Sequence, residues 1–153
     1  MVIRLGRRVL QRTLLVVGLA ALLALGVWRF YDPGWRYDVH GVEVSHHQGV
    51  VEWEALAADD VEFAYIKSTE GGDWIDTRFE ENWTGAGEAG VLRGAYHFFT
   101  LCTGGAEQAR NMIETVPDSP GMLPPAVDLE FSGNCSGRPS VDEFRSELGA
   151  FLS

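Results

Sequence analysis

From residue 40 onward, the apolar positions of the chain switch repeatedly between two periods. HGVEVS, His40 to Ser45, alternates as a half-buried strand does, and VEWEALAADD after it sets Trp53 and Leu56 at helical spacing. VEFAYIKS, Val61 to Ser68, is dense in aromatic and β-branched residues and predicts a second strand. Thr77-Arg78-Phe79-Glu80 has the form of a capping box, opening a predicted helix in which Phe79, Trp83 and Ala86 share a face and Gly90 is the stop. LRGAYHFF, Leu92 to Phe99, predicts a third strand. GGAEQARNMIETV then predicts a helix with Ala106, Ala109, Ile113 and Val116 on one side, ended by Pro117. PAVDLEF, Pro125 to Phe131, predicts a fourth strand. A Gly-rich loop, SGNCSGRP, leads to a second capping-box form, Ser140-Val141-Asp142-Glu143, and to Phe144, Leu148 and Phe151 once per turn.

Strand and helix alternating in this way predict an α/β fold of parallel strands with crossover helices. Residues 41–153 divide into four such units of about 28 residues, close to the roughly 31 per unit of a ~250-residue barrel. The expectation is a (β/α) TIM-like barrel, here only about the first four β/α units. An open four-stranded sheet is the alternative, and it would leave two strand edges unprotected.

Charge divides the chain at its start. Of 12 Lys and Arg, five (Arg4, Arg7, Arg8, Arg12 and Arg29) precede residue 31 with no acid among them, so the remainder sets seven bases against all 22 acids. A body that acidic does not neutralise phosphates, and no nucleic-acid partner is expected. Leu14 to Trp28 carries no charge and falls between a signal-peptide core and a span of about 20 residues. Residues 1–30 therefore read as a signal anchor or a cleaved signal peptide, both open, with 31–38 as linker and 39–153 as the functional domain. Either way the Arg-rich start keeps the N-terminus cytoplasmic and sends the rest across the membrane. The product is anchored to the membrane, or secreted or periplasmic. In that compartment Cys102 and Cys135 can pair, with two isolated buried thiols as the alternative.

The chemistry is concentrated in PAVDLEF. On a strand, residues two apart point the same way, so Asp128 and Glu130 share a face about 6.5 to 7 Å apart while Val127, Leu129 and Phe131 take the other. Two such carboxylates suit glycosidic cleavage, which needs one proton donor and one anion; a solvated strand end or a cation site fits the same pattern. Glu43, between Val42 and Val44, is another acid on a strand, either joining that mouth or facing solvent. His46-His47 lacks the partners of a zinc site, and no metal is expected. Lys67 and Glu70 end the second strand and Tyr96 and His97 lie in the third, where barrel loops converge. An internal ion pair for Lys67, and packing with a satisfied hydrogen bond for Tyr96 and His97, are the plainer readings. Trp53 and Trp83 fit core helix faces; Trp74, in a Gly-rich loop, can stack on a sugar ring.

Taken in order, GVEVSHHQG, FAYIKSTEG, AGVLRGAYHFF and PPAVDLE resemble the lysozymes of glycoside hydrolase family 25. The resemblance implies a (β/α) barrel with its active site at the C-terminal strand ends. It further implies a muramidase that hydrolyses the β-1,4 glycosidic bonds of peptidoglycan without metal or organic cofactor. It makes Glu130 the general acid and Asp128 its partner carboxylate, and puts Glu43 where the family has Asp. Ser45, His46, Gln48, Lys67, Glu70, Tyr96 and His97 then line or support the cleft. In that barrel the loops holding Cys102 and Cys135 emerge on one face, so a disulfide is expected. Family members continue beyond the fourth strand. Half a barrel leaves apolar faces open, so self-association is expected, as is a catalytically inactive, glycan-binding remnant as the alternative function.

Overall fold

The alternating stretches become parallel strands. In the computed structural model, which describes Val16 to Gly18, Leu23 and residues 37–153, these are β1 (His40–Val44), β2 (Val61–Glu70), β4 (Leu92–Phe98) and β5 (Ala126–Asp128). They lie side by side in the order β1-β2-β4-β5, every neighbouring pair parallel. A two-residue strand, β3 (Trp74–Ile75), pairs antiparallel with the end of β2 and is too short for any periodicity to announce it. Crossovers are helical: α1 (Trp53–Ala58), α2 (Phe79–Glu88), α3 (Gly105–Thr115), with α4 (Val141–Phe151) after β5. The chain divides into units Met1–Asp38 and Val39–Ser153, and the second carries all of these elements. The segment read as a signal anchor or signal peptide lies largely outside the described residues. No helix among the described residues is long and apolar enough to cross a membrane.

One face of the sheet meets the helices. Val44, Ala64, Ile66 and Ala95 pack with Trp53, Phe79, Trp83, Ala86, Val91 and Met112 into one buried cluster. Phe79, Trp83 and Ala86 are buried on α2 as their spacing requires, with the Phe79 and Trp83 rings 5.4 Å apart. Trp83→Ala is expected to cost about 3 to 5 kcal/mol of stability, read by urea unfolding, because the cavity adds to the lost transfer energy. On the opposite face the Phe63 and Tyr65 rings lie directly over Gly41 and Gly94, where an added Cβ would come within 2.2 and 2.6 Å of them. A side chain at either position would force the ring above it to move.

Three local expectations are revised. Thr77 does not cap α2: the cap residue is Arg78, without a side-chain bond. Asp76 takes over instead, its carboxylate accepting from Arg78 N at 2.9 Å and its carbonyl from Phe79 N at 3.0 Å. On α3 the stripe through Ile113 is not the buried one. Gln108, Asn111 and Met112 are buried and Ile113 is 77% exposed, because the two amides are paired inside: Asn111 donates to the carbonyls of Gly71 and Trp74, both at 3.1 Å. Burial follows satisfied polarity here, not hydropathy. Finally β5 stops at Asp128, so Leu129, Glu130 and Phe131 lie beyond the strand, and Phe131 is 71% exposed. The box at Ser140 forms as drawn: its hydroxyl accepts from Glu143 N at 3.3 Å while Glu143 Oε2 accepts from Ser140 N at 2.8 Å. Those bonds hold the Glu143 carboxyl below its ordinary range.

Candidate active site

The face of the sheet away from the helices carries the polar side chains. In β1, Val44 turns to the core, so Glu43 points the other way, toward β4. There the Tyr96 phenol faces the Glu43 carboxylate; burial first, then the negative charge of Glu43, hold the phenol far above its ordinary range. Tyr96 therefore keeps its proton at neutral pH.

Lys67 and Glu70 reach the same face through an irregularity. Three residues apart on a regular strand they would point oppositely. The pairing of β2 with β4 jumps from Lys67↔Tyr96 to Thr69↔His97, leaving Ser68 unmatched, and one extra residue restores both to one side. Lys67 Nζ then lies 2.7 Å from Glu70 Oε2, with the Phe98 ring centroid 4.6 Å and the Trp74 centroid 5.2 Å away. The ammonium is buried and paired; its partner is partly open to solvent.

Asp128 and Glu130 complete the cleft from β5 and just past it. The two share a lining of about 390 Å³ with Glu43, Ser45, Gln48, Lys67, Glu70 and Tyr96. Acids, an ammonium and a phenol converge where four strands end. Ser45 and Gln48 shape the rim by capping the short 3-10 helix His46–Gln48: Gln48 Oε1 accepts from Ser45 N at 2.7 Å and Ser45 Oγ at 3.1 Å.

Two sequence-predicted cleft residues go elsewhere. His46 is turned toward Asp76, which accepts from its backbone N at 3.0 Å and meets its Nδ1 at 2.7 Å. His47 lines the cleft in its place, since the turn of a 3-10 helix, not the alternation of a strand, sets the two rings. His97 lies on the helix side of the sheet, fully buried, one residue out of phase with Tyr96. Its Nε2 is 3.0 Å from Gln108 Oε1 and its Nδ1 is 2.8 Å from Thr69 Oγ1. The Gln108 amide has a fixed sense, because its nitrogen donates to the Thr100 and Thr103 carbonyls and its oxygen accepts from Thr100 N. His97 therefore carries its proton on Nε2, and the Thr69 hydroxyl donates to Nδ1.

Desolvation lowers the His97 pKa, the bond to Gln108 opposing it. A folded value below the unfolded one means stability is complete above about pH 6.5 and is lost as pH falls below it, by at most about 1.4 kcal/mol per pH unit. Urea unfolding between pH 7.5 and 5.5 checks this, with His97→Gln expected to flatten the slope.

Sequence reasoning passed over Asp76, Gln108 and Asn134. Asp76 had a signal, an acid shortly before a helix start; the amides of Gln108 and Asn134 had none, since a Gln or Asn that holds backbone groups looks like any other in sequence. Cys102 and Cys135 are bonded, with Cα atoms 6.3 Å apart, joining the loop after β4 to the loop after β5. Among the described residues no three His, Cys, Asp or Glu side chains are grouped as a metal site.

A parallel α/β sheet with carboxylates gathered at its C-terminal strand ends is an arrangement that α/β-barrel enzymes share, glycoside hydrolases among them. Within that class the chain belongs to glycosyl hydrolase family 25, whose sequence profile matches residues 42–153. It is 38% identical over 121 residues to the uncharacterised protein YegX of Escherichia coli K12, covering 76% of this chain and 43% of YegX. It is 50% identical over 70 residues to lysozyme M1 of Streptomyces globisporus, 46% of this chain and 24% of that protein. The family 25 glycosyl hydrolase of Bacillus anthracis superposes with a TM-score of 0.73 at 37% identity, over 76% of this chain and 54% of that one. The chain spans less than half the length of these two curated relatives.

Proposed function

We propose that this chain is a muramidase that hydrolyses β-1,4 glycosidic bonds of peptidoglycan, with Glu130 as the proton donor and Asp128 as the assisting carboxylate. The observation that carries this reading is the convergence of Asp128, Glu130 and Glu43 on one cleft in a family 25 chain. Glu130, past the strand end and exposed, protonates the leaving oxygen. Asp128, half-buried, meets the positive charge that develops at the anomeric carbon or orients the group that attacks it. Glu43, beside Tyr96 in the cleft, offers its carboxylate to water or sugar. Ser45, Gln48 and the Lys67–Glu70 pair supply donors and acceptors for sugar hydroxyls, and Trp74 is placed beside Lys67 as a stacking surface. Neither metal nor organic cofactor enters the reaction.

The same reading makes the sheet the first half of a (β/α) barrel, with the β5 edge and the groove between Ile113, Val127 and Phe151 as the seam for further units or a second copy. It also puts the domain outside the cytoplasm, where its substrate is, held or released by residues 1–30. Release of reducing ends from purified peptidoglycan by the full chain is the test. Retention on peptidoglycan with no bond cleaved would replace the hydrolase with a glycan-binding role.

A further inference from the structure

Glu130 is not held by the sheet, since β5 ends two residues before it. In a parallel ladder continuing past Phe99 N→Asp128 O, the next bond would run from Glu130 N to the Phe99 carbonyl. That carbonyl is taken instead by Asn134 Nδ2, at 2.8 Å. The same nitrogen donates to the Glu130 carbonyl at 3.0 Å, while Asn134 Oδ1 accepts from Leu101 N and Cys135 N, both at 2.9 Å. Two carbonyls on the nitrogen and two N–H groups on the oxygen fix the sense of the amide, and a flip would break all four bonds. Gly133, with φ of 71°, lets the chain double back so that the side chain four residues downstream reaches Glu130.

We infer that Asn134 is a positioning residue for Glu130: its amide replaces the missing ladder, tying the backbone of the acid to the end of β4. The disulfide between Cys102 and Cys135 anchors the neighbouring loop residues but makes no bond to Glu130, so the hold on the acid itself passes through this amide. The inference rests on the hydrolase reading for its consequence in turnover and on the four bonds for its geometry.

Asn134→Asp is the informative variant. It is isosteric and keeps the acceptor for Leu101 N and Cys135 N, but sets an oxygen against the carbonyls of Phe99 and Glu130. Ser140→Ala, which removes the cap of α4 nearby without touching Glu130, controls for lost stability. Peptidoglycan hydrolysis by the full chain and ¹⁵N order parameters of Leu129 to Phe131 are measured in all three proteins. Asn134→Asp is expected to lower kcat about 10- to 100-fold, the scale of a displacement near 1 Å, with KM within about twofold, and to drop the order parameters from about 0.85 toward 0.6. Ser140→Ala is expected to leave kcat and the order parameters near wild type. Equal kcat in the two variants, or unchanged order at Leu129 to Phe131, overturns the inference. A wild-type chain that does not cleave refutes the hydrolase reading alone, and the order parameters then decide by themselves whether Asn134 holds Glu130.

Discussion

Glu130→Gln in the full chain is expected to lower kcat for peptidoglycan hydrolysis by about 10² to 10⁴-fold, the usual contribution of a positioned general acid. The substitution keeps the shape of the side chain and its hydrogen-bonding reach, so only the proton is removed. Because Glu130 is exposed and outside the strand, no buried bond is lost and folding stability is expected to remain within about 0.5 kcal/mol of wild type. On the proposed roles KM is expected to change little, since Glu130 would act on the leaving oxygen as the bond breaks while other cleft residues would share sugar binding. Asp128→Asn is a useful companion: on the proposed role it removes an anion instead of a proton donor, and with it stabilisation of the charge at the anomeric carbon. A Glu130→Gln protein that turns over at the wild-type rate would transfer the acid's role to Glu43, Glu70 or Asp128, the other carboxylates lining the cleft.

What could be read from the sequence was whatever is repeated or local. Strand faces follow from alternation, and that period sets Glu43 opposite Val44 and Tyr96 opposite His97, although the motif match grouped Tyr96 and His97 together at the cleft. The cap at Ser140 needs four consecutive residues and formed. Features that depend on one irregular residue or on distant polar partners stayed hidden. The unmatched Ser68 moves Glu70 to the side of Lys67, and nothing in VEFAYIKSTE marks an extra residue. The partners of Gln108 on His97, Thr100 and Thr103 come together only when α3 lies on β4, so the hydrophobic pattern of α3 pointed to Ile113 instead. His97 shows the cost of reading motif position as site position: its neighbour Tyr96 reaches the cleft while His97 supports the sheet from behind.

Gln108→Leu is expected to be the most destabilising change on α3, at about 3 to 5 kcal/mol. The amide is fully buried and serves His97, the Thr100 N–H and the carbonyls of Thr100 and Thr103. Leucine fills the space but leaves those groups without partners, and each buried unsatisfied group costs about 1 to 3 kcal/mol, partly relieved by local movement. Against a total of about 5 to 15 kcal/mol for a domain, that loss brings the fold near its limit in urea. Gln108→Glu separates the role of the hydrogen bonds from the state of His97. A carboxylate still accepts from His97 Nε2 and Thr100 N but now favours the imidazolium, raising the folded pKa where the wild-type environment lowers it. The sign of the pH dependence then reverses. Wild type loses stability as pH falls below about 6.5, whereas Gln108→Glu is less stable overall and loses further stability as pH rises from 5.5 to 7.5. Parallel slopes in the two proteins would mean that His97 does not sense Gln108, and that the lowered histidine reflects burial alone.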